Sequence, residues 1–105
     1  MKKKIVTSPS TLKAALKLEP IAYLTTNGIE VILRRPSVLD LVTAIEISKA
    51  NAETPHIFQA WLVQNHLYDG DTQVFTSTEE VLECDNGLIQ ELSGEIDKLY
   101  GEGKN

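Results

Sequence analysis

The residue types that do chemistry in proteins are few and scattered in this chain. Its two histidines, His56 and His66, stand ten positions apart on one predicted helix, which rotates them by roughly 280° relative to each other. Their rings therefore point in different directions and do not share a metal ion. Asp69 and Asp71 flank a glycine as in a calcium loop, but the other oxygen ligands and the closing glutamate are missing. The sequence predicts a turn there and no metal site.

Catalytic arrangements are equally hard to find. Cys84 has neither a helix N-terminus nor a basic neighbour in the sequence to activate it, so we expect an inert thiol. Glu79 and Glu80 are adjacent and diverge on a helix, where they compensate the helix dipole. A glycine-rich phosphate loop and a nucleophile elbow are both missing. A small hydrolase would need a pocket with a perturbed titratable pair, which nothing in the sequence suggests. We expect a protein that is not an enzyme and uses no cofactor.

Length and composition predict one small intracellular domain. The 105 residues, of which 42% are hydrophobic, suffice for a single domain over residues 1–105, with flexible ends at 1–10 and 101–105. One cysteine excludes an internal disulfide and fits a reducing compartment. No apolar stretch follows the lysines at 2–4, and none elsewhere approaches the roughly 20 residues of a membrane span. The expected location is the cytoplasm, without a membrane partner.

Charge is distributed unevenly along the chain. Residues 1–50 carry eight Lys/Arg and four Asp/Glu, a net charge of +4, whereas residues 51–105 carry two against eleven, a net charge of −9. Opposite halves can attract each other within one chain or between copies, although an uneven solvated surface is the simpler explanation. A pI near 4.9 argues against nucleic acid as the partner.

Two extended segments and two long helices make up the predicted centre of the fold. Residues 21–25 and 29–33 suit strands, and the Asn27-Gly28 pair between them is a strong hairpin signal. Ser37 with Asp40 three residues later predicts a capping box and a helix to about residue 51. Thr54-Pro55 begins a second helix, predicted to continue to about residue 68.

Shorter elements are predicted at both ends. Ser10 is placed to cap a short helix over residues 11–18. After the second long helix come an extended piece at 74–75, a brief helix opened by Ser77 and ending near residue 84, and an amphipathic helix over 88–100. The predicted class is α+β and predominantly α-helical: an N-terminal β-hairpin packed on two longer helices, with a shorter helical pair at the C-terminus.

The two long helices carry more apolar surface than one core needs. On the first, four side chains share one arc of the helical wheel: Val38, Leu41, Val42 and Ile45. Three more lie outside that arc: Leu39, Ile47 and Ala50. A helix of this kind is either central in a core or covered by another chain.

The second helix has two apolar stripes. The larger one consists of Ile57, Phe58, Trp61, Leu62 and Tyr68, and the smaller one of Ala60, Val63 and Leu67. The smaller stripe either packs on the hairpin or remains exposed as a docking surface, since contiguous apolar patches often mark interfaces.

Arg34 and Arg35 end the second predicted strand. They are either solvated charges or a fork that binds carboxylates of a partner, because guanidinium matches carboxylate geometry. The candidate partner-binding residues are therefore Arg34, Arg35, Ile47, Ala60, Val63 and Leu67.

Residues 30–41, read as a strand, an Arg-Pro corner and a helix start, resemble the tail assembly chaperones of long-tailed bacteriophages. Residues 67–71 and 74–82 also resemble segments of these proteins, as does a closing helix with a polar tail. The resemblance covers about residues 28–100. It implies a non-enzymatic protein that binds the tape measure protein and keeps it soluble while tail tube subunits polymerise, and that self-associates into a homo-oligomer. The tail tube protein is a second implied partner.

The resemblance further implies a longer frameshifted product, because Gly103-Lys104-Asn105 can be encoded by a slippery run of adenines. A host-encoded small adaptor or regulatory protein that binds one folded partner is the alternative. Apolar helix surface alone does not separate these two hypotheses.

Overall fold

The computed structural model describes residues 19–101 of the chain. The described elements, in order, are β1 (Ile21–Leu24), β2 (Glu30–Leu33), α1 (Val38–Ala50), α2 (Pro55–His66), β3 (Leu67–Asp69), β4 (Thr72–Gln73), α3 (Thr78–Leu82) and α4 (Asn86–Gly101). The predicted helix at 11–18 and the predicted flexibility of residues 1–10 lie outside this range, as do residues 102–105. Gly101, which was predicted to belong to the flexible tail, is the last residue of α4.

The predicted N-terminal hairpin is confirmed. β1 and β2 pair antiparallel, with Ile21 opposite Leu33. Thr25 forms two backbone hydrogen bonds across the turn. Its carbonyl accepts from the Gly28 N–H at 2.9 Å, and its own N–H donates to the Ile29 carbonyl at 2.9 Å. Gly28 has φ +88°, a conformation that costs a glycine little because it has no Cβ.

A second hairpin, which the sequence pattern did not predict, extends the sheet. β3 and β4 pair antiparallel around a turn with Gly70 at φ +64°, so the sheet has the order β1-β2-β3-β4. The prediction that α2 continues to residue 68 is wrong, because Leu67 leaves the helix and pairs with Leu33 of β2. The predicted extended piece at 74–75 follows β4 rather than forming it.

Side-chain caps define the starts of three helices. Ser37 opens α1 and Ser77 opens α3, each with a reciprocal capping box as predicted. Asp85 caps α4 by accepting from the Leu88 N–H at 3.0 Å, which moves the start of that helix two residues ahead of the predicted one. With 16 residues, α4 is longer than predicted.

The α+β class is confirmed, and α2 supplies core residues as predicted, but α4 takes the place in the core that was predicted for α1. Its buried residues come from β2, β3 and the last three helices: Leu33, Ala60, Leu62, Val63, Leu67, Val81, Ile89, Leu92 and Ile96. Tyr23 and Val31 of the hairpin pack against this cluster. Ala44, the buried residue of α1, is not a member of it. The hairpin therefore packs on α2 and α4, and α1 lies at the edge of the core.

Candidate interaction surface

The most apolar side of α1 faces away from the protein. Its four arc residues and the neighbouring Leu39 keep much of their surface accessible: Val38 81%, Leu39 73%, Leu41 43%, Val42 49% and Ile45 49%. An isolated exposed leucine needs no explanation, but a contiguous apolar patch on one helix does. We call the four arc residues Val38, Leu41, Val42 and Ile45 the α1 face.

The side of α1 that packs inward is the less apolar one. Four residues on the opposite arc are buried or half-buried: Asp40, Thr43, Ala44 and Ile47. Two of them are polar and one is alanine, whose small size allows close approach to α2. The helix is thus turned with its larger apolar side chains outward, the reverse of the usual arrangement in a surface helix.

Arg34 holds α1 in this orientation. Its guanidinium donates to both carboxylate oxygens of Asp40, with Nη1 at 2.8 Å from Oδ2 and Nη2 at 3.4 Å from Oδ1. The same guanidinium donates to the Asn65 carbonyl from Nη2 at 3.1 Å and from Nε at 3.3 Å. Because Asn65 belongs to α2, Arg34 joins the start of α1 to the end of α2.

The Asp40 carboxylate is fixed from a second side. Its Oδ2 accepts from the Ser37 N–H at 2.8 Å, which completes the capping box. Partial burial by itself would raise the pKa of Asp40, but the hydrogen bonds from Arg34 and Ser37 outweigh that effect and lower it. The carboxylate is therefore charged at neutral pH, and both of its oxygens accept hydrogen bonds from within the chain.

A groove runs along α1 and is lined in part by three residues of the α1 face, Val38, Leu41 and Ile45. One cavity of about 340 Å³ is lined by Leu41, Ala44, Ile45, Ser48, Lys49, Phe58, Asp97 and Tyr100. A second cavity of about 180 Å³ is lined by Pro36, Ser37, Val38, Leu41, Leu99 and Tyr100. The two cavities adjoin, because Leu41 and Tyr100 line both, and together they follow α1 where it borders α2 and the last turns of α4. We call this pair of adjoining cavities the α1 groove.

His66 anchors one wall of this groove. The ring is completely buried, with Nδ1 at 2.8 Å from the Arg34 carbonyl and Nε2 at 2.6 Å from the Tyr100 hydroxyl. A carbonyl only accepts, so Nδ1 carries the proton and the Tyr100 O–H donates to Nε2. Burial lowers the pKa of His66, outweighing the opposite effect of its hydrogen bond to Arg34. The neutral ring thus holds Tyr100 in place.

A second polar contact fixes the hairpin on α4, away from the groove. The Glu91 carboxylate accepts from the Tyr23 hydroxyl at 2.6 Å and from the Thr26 N–H at 2.8 Å. The hydrogen bond to Glu91 raises the pKa of Tyr23 to about 12. These two hydrogen bonds to Glu91 hold β1 and the turn that follows it against α4.

The prediction of an exposed smaller stripe on α2 is wrong. Ala60, Val63 and Leu67 lie in the core with at most 5% of their surface accessible, so no partner reaches them in the folded protein. The alternative, packing on the hairpin, is confirmed at Leu67, which pairs with Leu33. The physical reason is that α2 lies in the middle of the fold, in contact with α1, α3 and α4.

The predicted arginine fork is also corrected. Arg34 does bind a carboxylate, but the carboxylate is that of Asp40 in the same chain. Arg35 donates from Nε to the Glu19 carbonyl at 3.1 Å, next to the corner that leads into α1. Ile47 is half-buried on the packed side of α1. The structure therefore does not bring the six predicted residues together into one exposed site.

The residues that do form an exposed surface were visible in the sequence but not assigned to a site. The α1 face was recognised as an apolar arc that is either central in a core or covered by another chain. The structure excludes the first possibility. Nothing local in the sequence distinguishes the two, because both require the same periodicity.

The described part of the chain offers little for other chemistry. Within residues 19–101, no three His, Cys, Asp or Glu side chains are grouped so that they could hold a metal ion. None of the helices described there is long and apolar enough to cross a membrane. The α1 groove remains the feature that calls for a functional explanation.

Comparisons of the chain with protein-family models, with curated proteins and with solved structures found no match.

Proposed function

We propose that this protein is a non-enzymatic tail assembly chaperone of a long-tailed bacteriophage, acting in the cytoplasm of the bacterial host. In this proposal the α1 groove holds an apolar helical stretch of the tape measure protein and keeps it soluble during tail assembly. The outward orientation of the α1 face is the observation that carries the proposal. The resemblance of residues 30–41 to this class supports it, because those residues include β2, the arginine corner and the first turn of α1.

The geometry suits the recognition of a helix in a groove. Such recognition uses an apolar channel that accepts side chains at a helical spacing, with polar groups at its edges. Side chains from three helices line the α1 groove, and aromatic rings of Phe58 and Tyr100 form part of its wall. Arg34 and His66 fix these elements relative to one another, so the groove exists before a client arrives.

The size of the surface predicts weak binding at each site. Covering the exposed parts of the α1 face and Leu39 contributes roughly 5 kcal/mol, and the client's own apolar side chains add a similar amount. Association costs about 4–15 kcal/mol in lost freedom. At the lower end of that cost, about 4–6 kcal/mol, a net of roughly 4–6 kcal/mol remains, so a single copy should bind with a dissociation constant on the order of tens of micromolar to millimolar. Weak individual sites allow a chaperone to release its client, and several copies on one long client add avidity.

The test is co-expression with the tape measure protein of the same phage, scored by how much of that protein stays soluble. Ile45→Ser should reduce the soluble fraction, because Ile45 is exposed and lines the α1 groove. Ile29→Ser is the matched control, since Ile29 has the same exposure of 49% but lies between β1 and β2. Circular dichroism should show that both variants are folded.

Two results would count against the proposal. If the wild-type chain does not raise the solubility of the tape measure protein, the host-adaptor alternative is favoured. If Ile45→Ser and Ile29→Ser act equally, the α1 groove is not the client site. Self-association stays a prediction, to be measured by light scattering of the wild-type chain over a range of concentrations.

A further inference from the structure

We propose, building on the function proposed above, that the α1 groove selects a client helix whose apolar stripe has an acidic side chain on one edge and a basic side chain on the other. The partner chemistry is thus an amphipathic helix of about three turns with opposite charges bordering its apolar stripe. The inference rests on two charged side chains that line the groove from opposite walls.

Lys49 and Asp97 are these two residues. Both line the larger cavity, Lys49 from α1 and Asp97 from α4. Lys49 follows Val42 by seven positions and Ile45 by four, so it lies at the C-terminal end of the α1 face. Both residues are exposed, and within residues 19–101 neither forms an ion pair with an opposite charge.

Neighbouring charges are already used inside the protein. Arg34 and Asp40 pair with each other below the groove, and Lys98 pairs with Glu95 at 2.9 Å on the surface of α4. Of the residues that line the larger cavity, Lys49 and Asp97 are the charged ones, and both have their charge available to an occupant of the groove. An occupant with an acidic edge near Lys49 and a basic edge near Asp97 is attracted by both walls. An occupant with like charges on both edges is repelled by one of the two walls.

The length of the groove sets the length of its occupant. Val38 and Lys49 are eleven residues apart on α1, which corresponds to roughly 16 Å at 1.5 Å per residue. A partner helix of three turns covers that distance. Its apolar side chains must recur every three or four residues to follow the α1 face.

The experiment uses three synthetic 14-residue helical peptides with the same apolar stripe. One carries Glu on one edge and Lys on the other, the second carries Glu on both edges, and the third carries Lys on both. Each is titrated into the isotopically labelled full chain while NMR follows the backbone amides of α1. The wild-type chain should bind the mixed peptide about two- to fivefold more tightly than either of the others, as expected for one exposed ion pair. The difference should shrink in 0.5 M salt because the ions screen exposed charges.

Reversing either charge in the protein should change which of the three peptides binds most tightly. With Lys49→Glu both walls are acidic, so the peptide with two Lys edges should become the tightest ligand. With Asp97→Lys both walls are basic, so the peptide with Glu on both edges should become the tightest ligand. Each variant needs one substitution at an exposed position and is expected to keep the wild-type circular dichroism spectrum.

The outcomes separate this inference from the proposed function. If all three peptides bind equally and Ile45→Ser weakens all of them, the charge selection is wrong but the groove still binds helices. If no peptide shifts the α1 amides, the groove as a client site fails as well. If light scattering shows a dimer that Ile45→Ser dissociates, a second copy occupies the groove and the inference is overturned. If Leu16→Ser in the full chain tightens all peptides at least tenfold, the chain's own N-terminal residues occupy it, which also overturns the inference.

Discussion

Replacing Val63 with alanine should destabilise the fold far more than replacing Val42 with alanine, although the chemical change is identical. Val63 on α2 is 0% exposed, whereas Val42 on α1 is 49% exposed. At Val63 the loss of two methyl groups removes about 1.6 kcal/mol of transfer free energy, and the cavity left behind adds about 1 kcal/mol. The higher helix propensity of alanine offsets about 0.5 kcal/mol of this, so the expected cost at Val63 is roughly 2–2.5 kcal/mol.

At Val42 the same truncation leaves no cavity. Roughly half of the side chain is already in water, so the transfer term falls below about 1 kcal/mol. Alanine has a higher helix propensity than valine by about 0.5 kcal/mol, which offsets most of that loss. The expected net change in the free energy of unfolding at Val42 is therefore near zero.

Urea denaturation of both variants, followed by circular dichroism and by the fluorescence of Trp61, measures this difference. The midpoint should shift for Val63→Ala alone, with the dependence on urea unchanged. In thermal unfolding the Val63 variant should melt roughly 10–20 °C lower. Equal costs at the two positions, measured at a low protein concentration, would refute the orientation of α1. A cost at Val42 that grows with protein concentration would show instead that copies of the chain cover the α1 face.

Three further predictions concern the contacts that hold the groove. Tyr100→Phe removes the donor to the buried Nε2 of His66 and should cost about 1–3 kcal/mol in urea denaturation. Arg34→Lys loses the two-pronged contact with Asp40 and the bonds to the Asn65 carbonyl, so it should cost about 1–2 kcal/mol. Lowering the pH from 7.5 to 5.5 should destabilise the wild-type chain by about 1 kcal/mol, measured by urea denaturation at each pH. The folded pKa of His66 is lowered by burial, so the unfolded state binds a proton first as the pH falls through about 6.5.

Each of these three predictions has an outcome that would contradict it. A Tyr100→Phe variant as stable as wild type would mean that His66 does not depend on the hydroxyl. Full stability of Arg34→Lys would show that an ammonium group satisfies both Asp40 and Asn65. Stability that is constant between pH 7.5 and 5.5, with the His66 ring protonated in the folded chain, would exclude the buried neutral imidazole.

Local sequence signals predicted much of the fold. Asn27-Gly28 gave the first hairpin, and the capping boxes at Ser37 and Ser77 placed the starts of α1 and α3. These signals succeed because each one satisfies backbone groups within a few residues of itself. The second hairpin was not predicted because its first strand forms by pairing with β2, where Leu67 lies opposite Leu33, 34 positions earlier in the chain.

The candidate site was only partly predictable. The apolar arc of α1 was evident, and so was the choice between a core position and a covered surface. The residues proposed for partner binding on α2 were assigned to the wrong environment, because two apolar stripes on one helix look alike in sequence. Burial does not follow the stripes: Val63 of the smaller stripe and Leu62 of the larger one are both enclosed, whereas Trp61 of the larger stripe is only half-buried.

Apart from the second hairpin, the sequence by itself determined which segments are helices and strands, where most of them begin, and that α1 and α2 carry surplus apolar surface. Only the tertiary structure decided which side of each helix faces the core. Periodicity shows that a face is apolar, but the partner that covers it is distant in the chain. For α1 the decision rests on Arg34, which binds Asp40 and the end of α2 at once and so turns Val42 and its neighbours toward solvent. The hydrogen bond from Arg34 to the Asn65 carbonyl joins residues 31 positions apart and has no local signature in the sequence.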